Sequence, residues 1–168
     1  MKKLIFISLL FSILSLSVSA QKPTKAEKAA QLEQEFQQTR QLIESNHFQF
    51  ELNRVYPQDG QDLSRFNPRG KFVITDSVAK GTLPFFGRAY SLPYGEGGGI
   101  EFDGVMKDQS LKIEHKKKRK ILIYRFSITA KNDTYQISME ISGGGNCSVN
   151  LNSNNRAQIS YSGTVSPV

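Results

Sequence analysis

The rhythm of polar and apolar positions changes once along this chain, near Phe48. Before that point Ala29, Leu32, Phe36, Thr39 and Ile43 recur at alternating three- and four-residue steps, which puts them on one stripe of a helix. The surrounding stretch "KAEKAAQLEQEFQQTRQLIESN" (Lys25–Asn46) is rich in Ala, Glu, Gln, Lys and Leu and contains no Gly or Pro, a composition that favours helix. Thr24 and Glu27 stand at capping-box spacing at its start. A single apolar stripe needs a surface to cover it, and a repeat of about two heptads is too short for a free coiled coil. The pattern therefore predicts one N-terminal amphipathic helix packed on the remainder of the protein.

From Phe48 onward the period is two. Phe48, Phe50 and Leu52 alternate with Gln49, Glu51 and Asn53, and a Pro-, Gly- and Asp-rich connection (Tyr56–Gly70) follows. Apolar runs resume at Lys71–Asp76 and Val78–Phe85. "FFGRAY" (Phe85–Tyr90) has the composition of an aromatic strand in which Gly87 marks a bulge or a close backbone approach. In "GIEFDG" (Gly99–Gly104), Ile100 and Phe102 face inward, and Glu101 and Asp103 face solvent. "LKIE" and "ILIYRFSI" are strands carrying Leu111 and Ile113, and Leu122, Tyr124, Phe126 and Ile128. The clearest alternation comes last. Tyr135, Ile137, Met139 and Ile141 oppose Gln136, Ser138 and Glu140. Cys147, Val149 and Leu151 oppose Ser148 and Asn150, and Ala157, Ile159 and Tyr161 oppose Gln158 and Ser160. Such alternation belongs to antiparallel strands with one buried and one wet face. "KND", "GGG" and "SNN" supply short connections of hairpin chemistry. About eight to ten strands result, with no helix available for a crossover. A meander of that size removes its exposed edges by closing. The fold class predicted is mainly β: an antiparallel up-and-down meander closing into a lipocalin-like barrel with one N-terminal helix, the alternative being a β-sandwich.

The first twenty residues add a compartment. Lys2 and Lys3 precede the uncharged apolar run Leu4–Val18, and "VSA" (Val18–Ala20) presents small residues where a signal peptidase cuts. Cleavage after Ala20 would leave 148 of the 168 residues and, without Lys2 and Lys3, a formal charge of +5 rather than +7. A retained membrane anchor is the alternative, since a spanning helix needs roughly 17–25 apolar residues. No cysteine follows the run, so a lipoprotein anchor is not expected, and no later apolar run is long enough to span. The organisation expected is a signal peptide at 1–20, a helix region at 21–46 and one β domain at 47–168. The location expected is periplasmic or secreted. Cys147 is the sole cysteine, so the fold must hold by packing rather than by disulfides.

Composition offers little chemistry. "HKKKRK" (His115–Lys120) resembles a nucleic-acid patch, but it sits between two strands and lacks interleaved aromatics to stack bases. A solvated lysine-rich hairpin tip that discourages edge association accounts for it. His47 and His115 lie far apart, and Asp59, Asp62 and Asp76 do not match a calcium loop, so neither metal nor cofactor is expected. Cys147 alternates inward with Val149 and Leu151 and so reads as a core residue, and the G-x-S-x-G elbow is missing. Glu96, Glu101 and Asp103 are the only carboxylates worth weighing as an acid/base pair, and two of them face solvent. "GEGGG" (Gly95–Gly99) is not a phosphate loop, because the lysine of a P-loop is missing and a strand rather than a helix follows. It reads as a hairpin loop. Arg88 beside it is suited either to an anionic ligand at a barrel mouth or to an ordinary exposed or core-pairing role.

Three blocks carry a resemblance. "VYPQDG" (Val55–Gly60), "LSRFNPRGKFVITDSVAKGTLPFFGRAYSLPYGEGGGIEFDG" (Leu63–Gly104) and "NDTYQISMEISGGGNCSVNLNSNNRAQISYSG" (Asn132–Gly163) are similar to the domain of unknown function 4251 family. The likeness spans nearly all of the chain after residue 20, and "FFGRAY…PYGEGGGIEFDG" is its most specific part. It implies exported Bacteroidetes proteins with a lipocalin-like barrel. Many members resemble lipoproteins, from which this chain departs in lacking the lipobox cysteine. The resemblance brings no activity, substrate or catalytic residue. It also marks "DSV" (Asp76–Val78) as a match to an O-glycosylation sequon centred on Ser77.

The function expected is a non-enzymatic module that binds an apolar or amphipathic small molecule within or at the mouth of the barrel. The alternative is a ligand-free structural or protein-interaction module of the cell envelope, which the large inward residues favour by filling the interior. Nucleic-acid binding is not expected. Arg88, Tyr90 and Tyr94 form the polar-aromatic cluster singled out for ligand contact.

Overall fold

Thr24 accepts a bond from the Glu27 amide on its Oγ1 (3.2 Å), and its own amide donates to Glu27 Oε2 (2.6 Å). This reciprocal cap opens helix α1, Lys25–Glu44. The computed structural model describes residues 24–91, 98–116, 119–130 and 133–168, so the expected signal peptide lies outside the described residues. The chain forms two compact units, Met1–Gln31 and Leu32–Val168, and the second holds the whole β-sheet. Within it, Phe36, Thr39 and Ile43 are buried, and Phe36 and Ile43 belong to the main core. Leu32 does not follow its stripe: it is 62% exposed. Periodicity tells which residues share a face, not how far the packing surface beneath extends.

Nine strands follow: β1 (His47–Pro57), β2 (Lys71–Thr75), β3 (Val78–Leu83), β4 (Ile100–Val105), β5 (Lys107–Lys116), β6 (Arg119–Thr129), β7 (Thr134–Ser142), β8 (Asn146–Ser153) and β9 (Ile159–Pro167). They form one antiparallel sheet in the order β4-β3-β2-β1-β9-β8-β7-β6-β5. Sequence neighbours pair throughout except β4 and β5, which are the two edges of the sheet, and β9 returns to lie against β1. This is the up-and-down meander that the alternation predicts, and a single nine-stranded sheet does not form a sandwich.

The sheet curls into a half-barrel that fits the lipocalin-like class, and three features bend it. The β1–β9 register shifts between Leu52 and Arg54, a bulge that adds local twist. Strands β4 and β5 are the two ends of the sheet, yet only Met106 separates them, and its amide donates to Ser77 O (2.7 Å). Gly104 of β4 also packs against β6, where a Cβ would meet Ile128 Cγ2 at 3.4 Å. The two edges thus run into one another through a buried corner.

The inner face is filled. Phe48, Phe50, Phe72, Leu122, Met139 and Tyr161 are fully buried there. The rings form a chain across the curl, with centroids 5.1 Å apart for Phe50–Phe72, 5.8 Å for Phe72–Phe102 and 6.2 Å for Phe102–Tyr135. Alternation holds through β7, β8 and β9, where each inward position is buried. It weakens in β5, whose Ile113 is 41% exposed, and it breaks in β6, where Ile121 and Ile123 of the opposite face are buried as well.

Candidate functional site

The end of the sheet where β3, β6 and β8 finish and β2, β4, β7 and β9 begin is crossed by the segment after β3. Sequence composition predicts a strand over Phe85–Tyr90, but the structure has coil there with one isolated bridge, Ala89 to Arg156. Three backbone bonds hold the crossing: Ala157 N to Arg88 O (2.9 Å), Tyr90 N to Asn155 O (2.8 Å) and Ser91 N to Asn155 O (3.4 Å). From below, the hydroxyl of Tyr161 donates to Pro84 O at 2.8 Å. A buried tyrosine needs such a partner, and burial pushes its phenol well above the usual range. At Gly87 the close neighbour is a ring rather than backbone: a Cβ there would lie 2.7 Å from Phe85 Cζ, so a side chain would require that ring to shift.

The folded-back Phe85 ring lies against Arg156, whose guanidinium carbon is 5.2 Å from the ring centroid. Arg156 is only 5% exposed. Its Nη1 donates to Gly98 O (3.2 Å), and its Nε is buried with no acceptor among the described residues. No ion pair to Arg156 occurs among the described residues.

Arg156 lines an open hollow of about 1280 Å³ together with Leu52, Gly70, Phe102, Ala130 and Tyr135. The hollow extends onto the outer face of β2–β4, where Lys80 pairs with Asp103 at 2.6 Å. That bond raises the Lys80 ammonium above its ordinary range. The result is a mixed surface: apolar side chains at the barrel end, a buried cation and an outer rim of charged side chains that includes the Lys80–Asp103 pair.

Two members of the expected cluster, Arg88 and Tyr90, are among the described residues. Arg88 is exposed, Tyr90 is 68% exposed, and neither lines the hollow. Tyr94 lies outside the described residues, as do Glu96 and Gly95–Gly97 of the glycine loop. Arg88 contributes its carbonyl, and the buried arginine is its bridge-neighbour Arg156. Sequence reading missed Arg156 because alternation in "RAQISYSG" puts it on the wet face with Gln158. The strand begins only at Ile159, so that parity does not reach back to Arg156.

Other candidates are dispersed. Cys147 is buried, and desolvation, helped by the Glu140 carboxylate, raises its thiol far above the ordinary range, the opposite of an activated nucleophile. Glu101 and Asp103 face outward as expected. His47 Nδ1 lies 3.7 Å from Asp76 Oδ1, and His115 is exposed. No group of three metal-capable side chains occurs among the described residues. In the basic tip, Lys116 pairs with Glu140 (2.6 Å) and Lys120 with Glu33 (2.9 Å), while Lys117 and Lys118 lie outside the described residues. Ser77 is exposed in the β2–β3 turn. No described helix is long and apolar enough to cross a membrane.

Comparison with known proteins agrees with the fold. The family model described as domain of unknown function (DUF4251) matches residues 30–165. The crystal structure of a DUF4251 family protein from Bacteroides eggerthii DSM 20697 has a similar fold, with a TM-score of 0.58 and 22% identity. The match covers 83% of this chain and 91% of that one. No curated protein matches the sequence.

Proposed function

We propose, for a chain that belongs to the DUF4251 family, that it is a non-enzymatic module binding one amphipathic small molecule at the open end of its half-barrel. The observation that carries this reading is the hollow of about 1280 Å³ with Leu52, Phe102 and Tyr135 on its wall. Small-molecule sites combine an apolar wall with a few placed polar groups, and volumes of roughly 300–1,000 Å³ suffice for them. The ligand sits at the mouth rather than in the lumen, because Phe48, Phe50, Phe72 and Tyr161 already fill the inner face below. We place the module outside the cytoplasm, released by cleavage after Ala20, with Gln21 as the first residue of the mature form.

Native mass spectrometry of protein purified from its own source tests the reading. A co-purifying small molecule, with Gln21 as the measured N-terminus, is the expected result. The filled lumen favours a second reading, a ligand-free interaction module of the cell envelope. A clean apo mass together with a specific protein recovered from envelope extract would select it over the first.

A further inference from the structure

We infer that Arg156 anchors the ligand through a carboxylate, so that the molecule held at the barrel end is an amphipathic monocarboxylic acid. The inference rests on the ligand-binding reading above and specifies its chemistry. A guanidinium is permanently charged and carries five N–H donors. Charged side chains this deeply buried are normally paired, because an unpaired one forfeits its hydration. Arg156 is 5% exposed, yet its only hydrogen bond among the described residues runs from Nη1 to Gly98 O.

The described carboxylates that share the hollow do not serve it. Asp133 accepts from the Thr134 amide (2.8 Å) and the Ser153 hydroxyl, and Asp103 is held by Lys80. Glu51 and Glu101 are exposed on the outer face of β1 and β4. What remains is the side edge of the fork. Nε is buried without an acceptor among the described residues, and a carboxylate satisfies the Nε–Nη2 edge with two parallel bonds. The fork is also held in orientation: Gly98 O fixes one end and the Phe85 ring covers a face. Leu52, Phe102 and Tyr135 line the same hollow, so a chain attached to the acid group meets apolar wall. Arg69, Lys71 and Lys80 line its outer part and leave the hollow without a net negative charge against an anion.

A merely structural role, with Arg156 bracing the crossing segment, predicts a different outcome, and a matched pair of probes separates the two. Titration calorimetry with decanoate and decan-1-ol compares an acid and a neutral head on the same chain. The unaltered protein should bind decanoate about 10- to 100-fold more tightly than the alcohol, the range that charge-assisted hydrogen bonds supply. Arg156→Gln should erase that preference, so that the variant binds decanoate no more tightly than it binds decan-1-ol. Equal affinity for acid and alcohol in the unaltered protein overturns the role of Arg156 and leaves the ligand-binding reading standing. Binding of neither probe, with a clean apo mass from the native source, overturns both. Should Arg156→Gln fail to fold, NMR of the unaltered protein decides: decanoate should move the Arg156 Nε–H resonance downfield and decan-1-ol should not. An Nε–H resonance that ignores decanoate sinks the inference.

Discussion

Ile137 and Ser138 are consecutive residues of β7 with opposite surroundings. Ile137 is 2% exposed and pairs across the inner face with Phe126 and Leu151. Ser138 faces outward, where Arg125 Nε donates to its hydroxyl at 3.3 Å. Ile137→Asp buries an unpaired carboxylate in the aromatic core and should cost more than about 4 kcal/mol, a large fraction of a domain's stability. Ser138→Asp puts the same charge beside Arg125 in water and should change stability by less than about 0.5 kcal/mol. Urea unfolding of both variants checks the register, and comparable losses would mean that β7 is one residue out of place. Two arginines at the crossing also have opposite surroundings: Arg156, the bridge partner of Ala89, turns inward to Gly98 and Phe85, while Arg88, one residue before Ala89, stays in solvent.

At the scale of elements, two glycines without side chains do as much as the apolar positions. Gly163 of β9 stands opposite Leu52, beside the β1 bulge, and the Phe50 ring leans over it. A Cβ at 163 would sit 1.9 Å from Glu51 O and 2.7 Å from Phe50 Cε2, so backbone would have to move. Gly81 lies between Phe72 and Phe102 in the ladder, and its missing side chain lets those two rings meet. Gly163→Ala should therefore cost about 3 kcal/mol through overpacking at a bend. Gly98→Ala, where nothing lies within 4 Å of the added carbon, should be close to neutral. Thermal melts of the two variants supply the comparison, and a silent Gly163→Ala would show that the β1–β9 corner is not tightly packed. The strands themselves were legible because wet and dry faces alternate through Tyr135–Ile141, Cys147–Leu151 and Ile159–Tyr161. The corner at Met106 was not, since one apolar residue between two alternating runs carries no mark of a sheet edge. The crossing at Phe85–Tyr90 looked like a strand because aromatics favour strands, whereas here Phe85 packs from coil and Phe86 and Tyr90 are exposed. The candidate site was hardest to see: it depends on one arginine just outside a strand, where period two no longer fixes the side.

For the molecule as a whole, the filled interior has a consequence at high pH. Three weak acids are buried in it neutral. Burial pushes the Cys147 thiol and the Tyr161 phenol far up, and it raises Tyr124 to about 12. Tyr124 OH also lies 3.1 Å from Asn46 Oδ1 and 3.0 Å from Gln109 Oε1, whereas Arg156 acts on Tyr161 in the opposite sense to its burial. In the unfolded chain a thiol ionises near pH 8.5 and a phenol near pH 10. Each folded pKa is raised, so the neutral groups favour the native state fully below those values. That advantage is lost as the unfolded chain gives up protons that the native state keeps, and the loss continues until pH passes the folded pKa. Stability should hold level to about pH 8 and then fall. Cys147 and Tyr161 each contribute up to about 1.4 kcal/mol per pH unit once past the unfolded value. Tyr124, with polar partners at its hydroxyl, adds less. Urea midpoints between about pH 7 and pH 11 follow the decline, and phenolate absorbance should show a fraction of the six tyrosines ionising only on unfolding. Cys147→Ala should remove the thiol's share of the slope from about pH 8.5 upward, so that the decline begins only near pH 10, where the phenols of the unfolded chain titrate. A midpoint that does not move up to pH 11 would show that these groups reach water in the native state, and that the inner face is looser than its packing indicates.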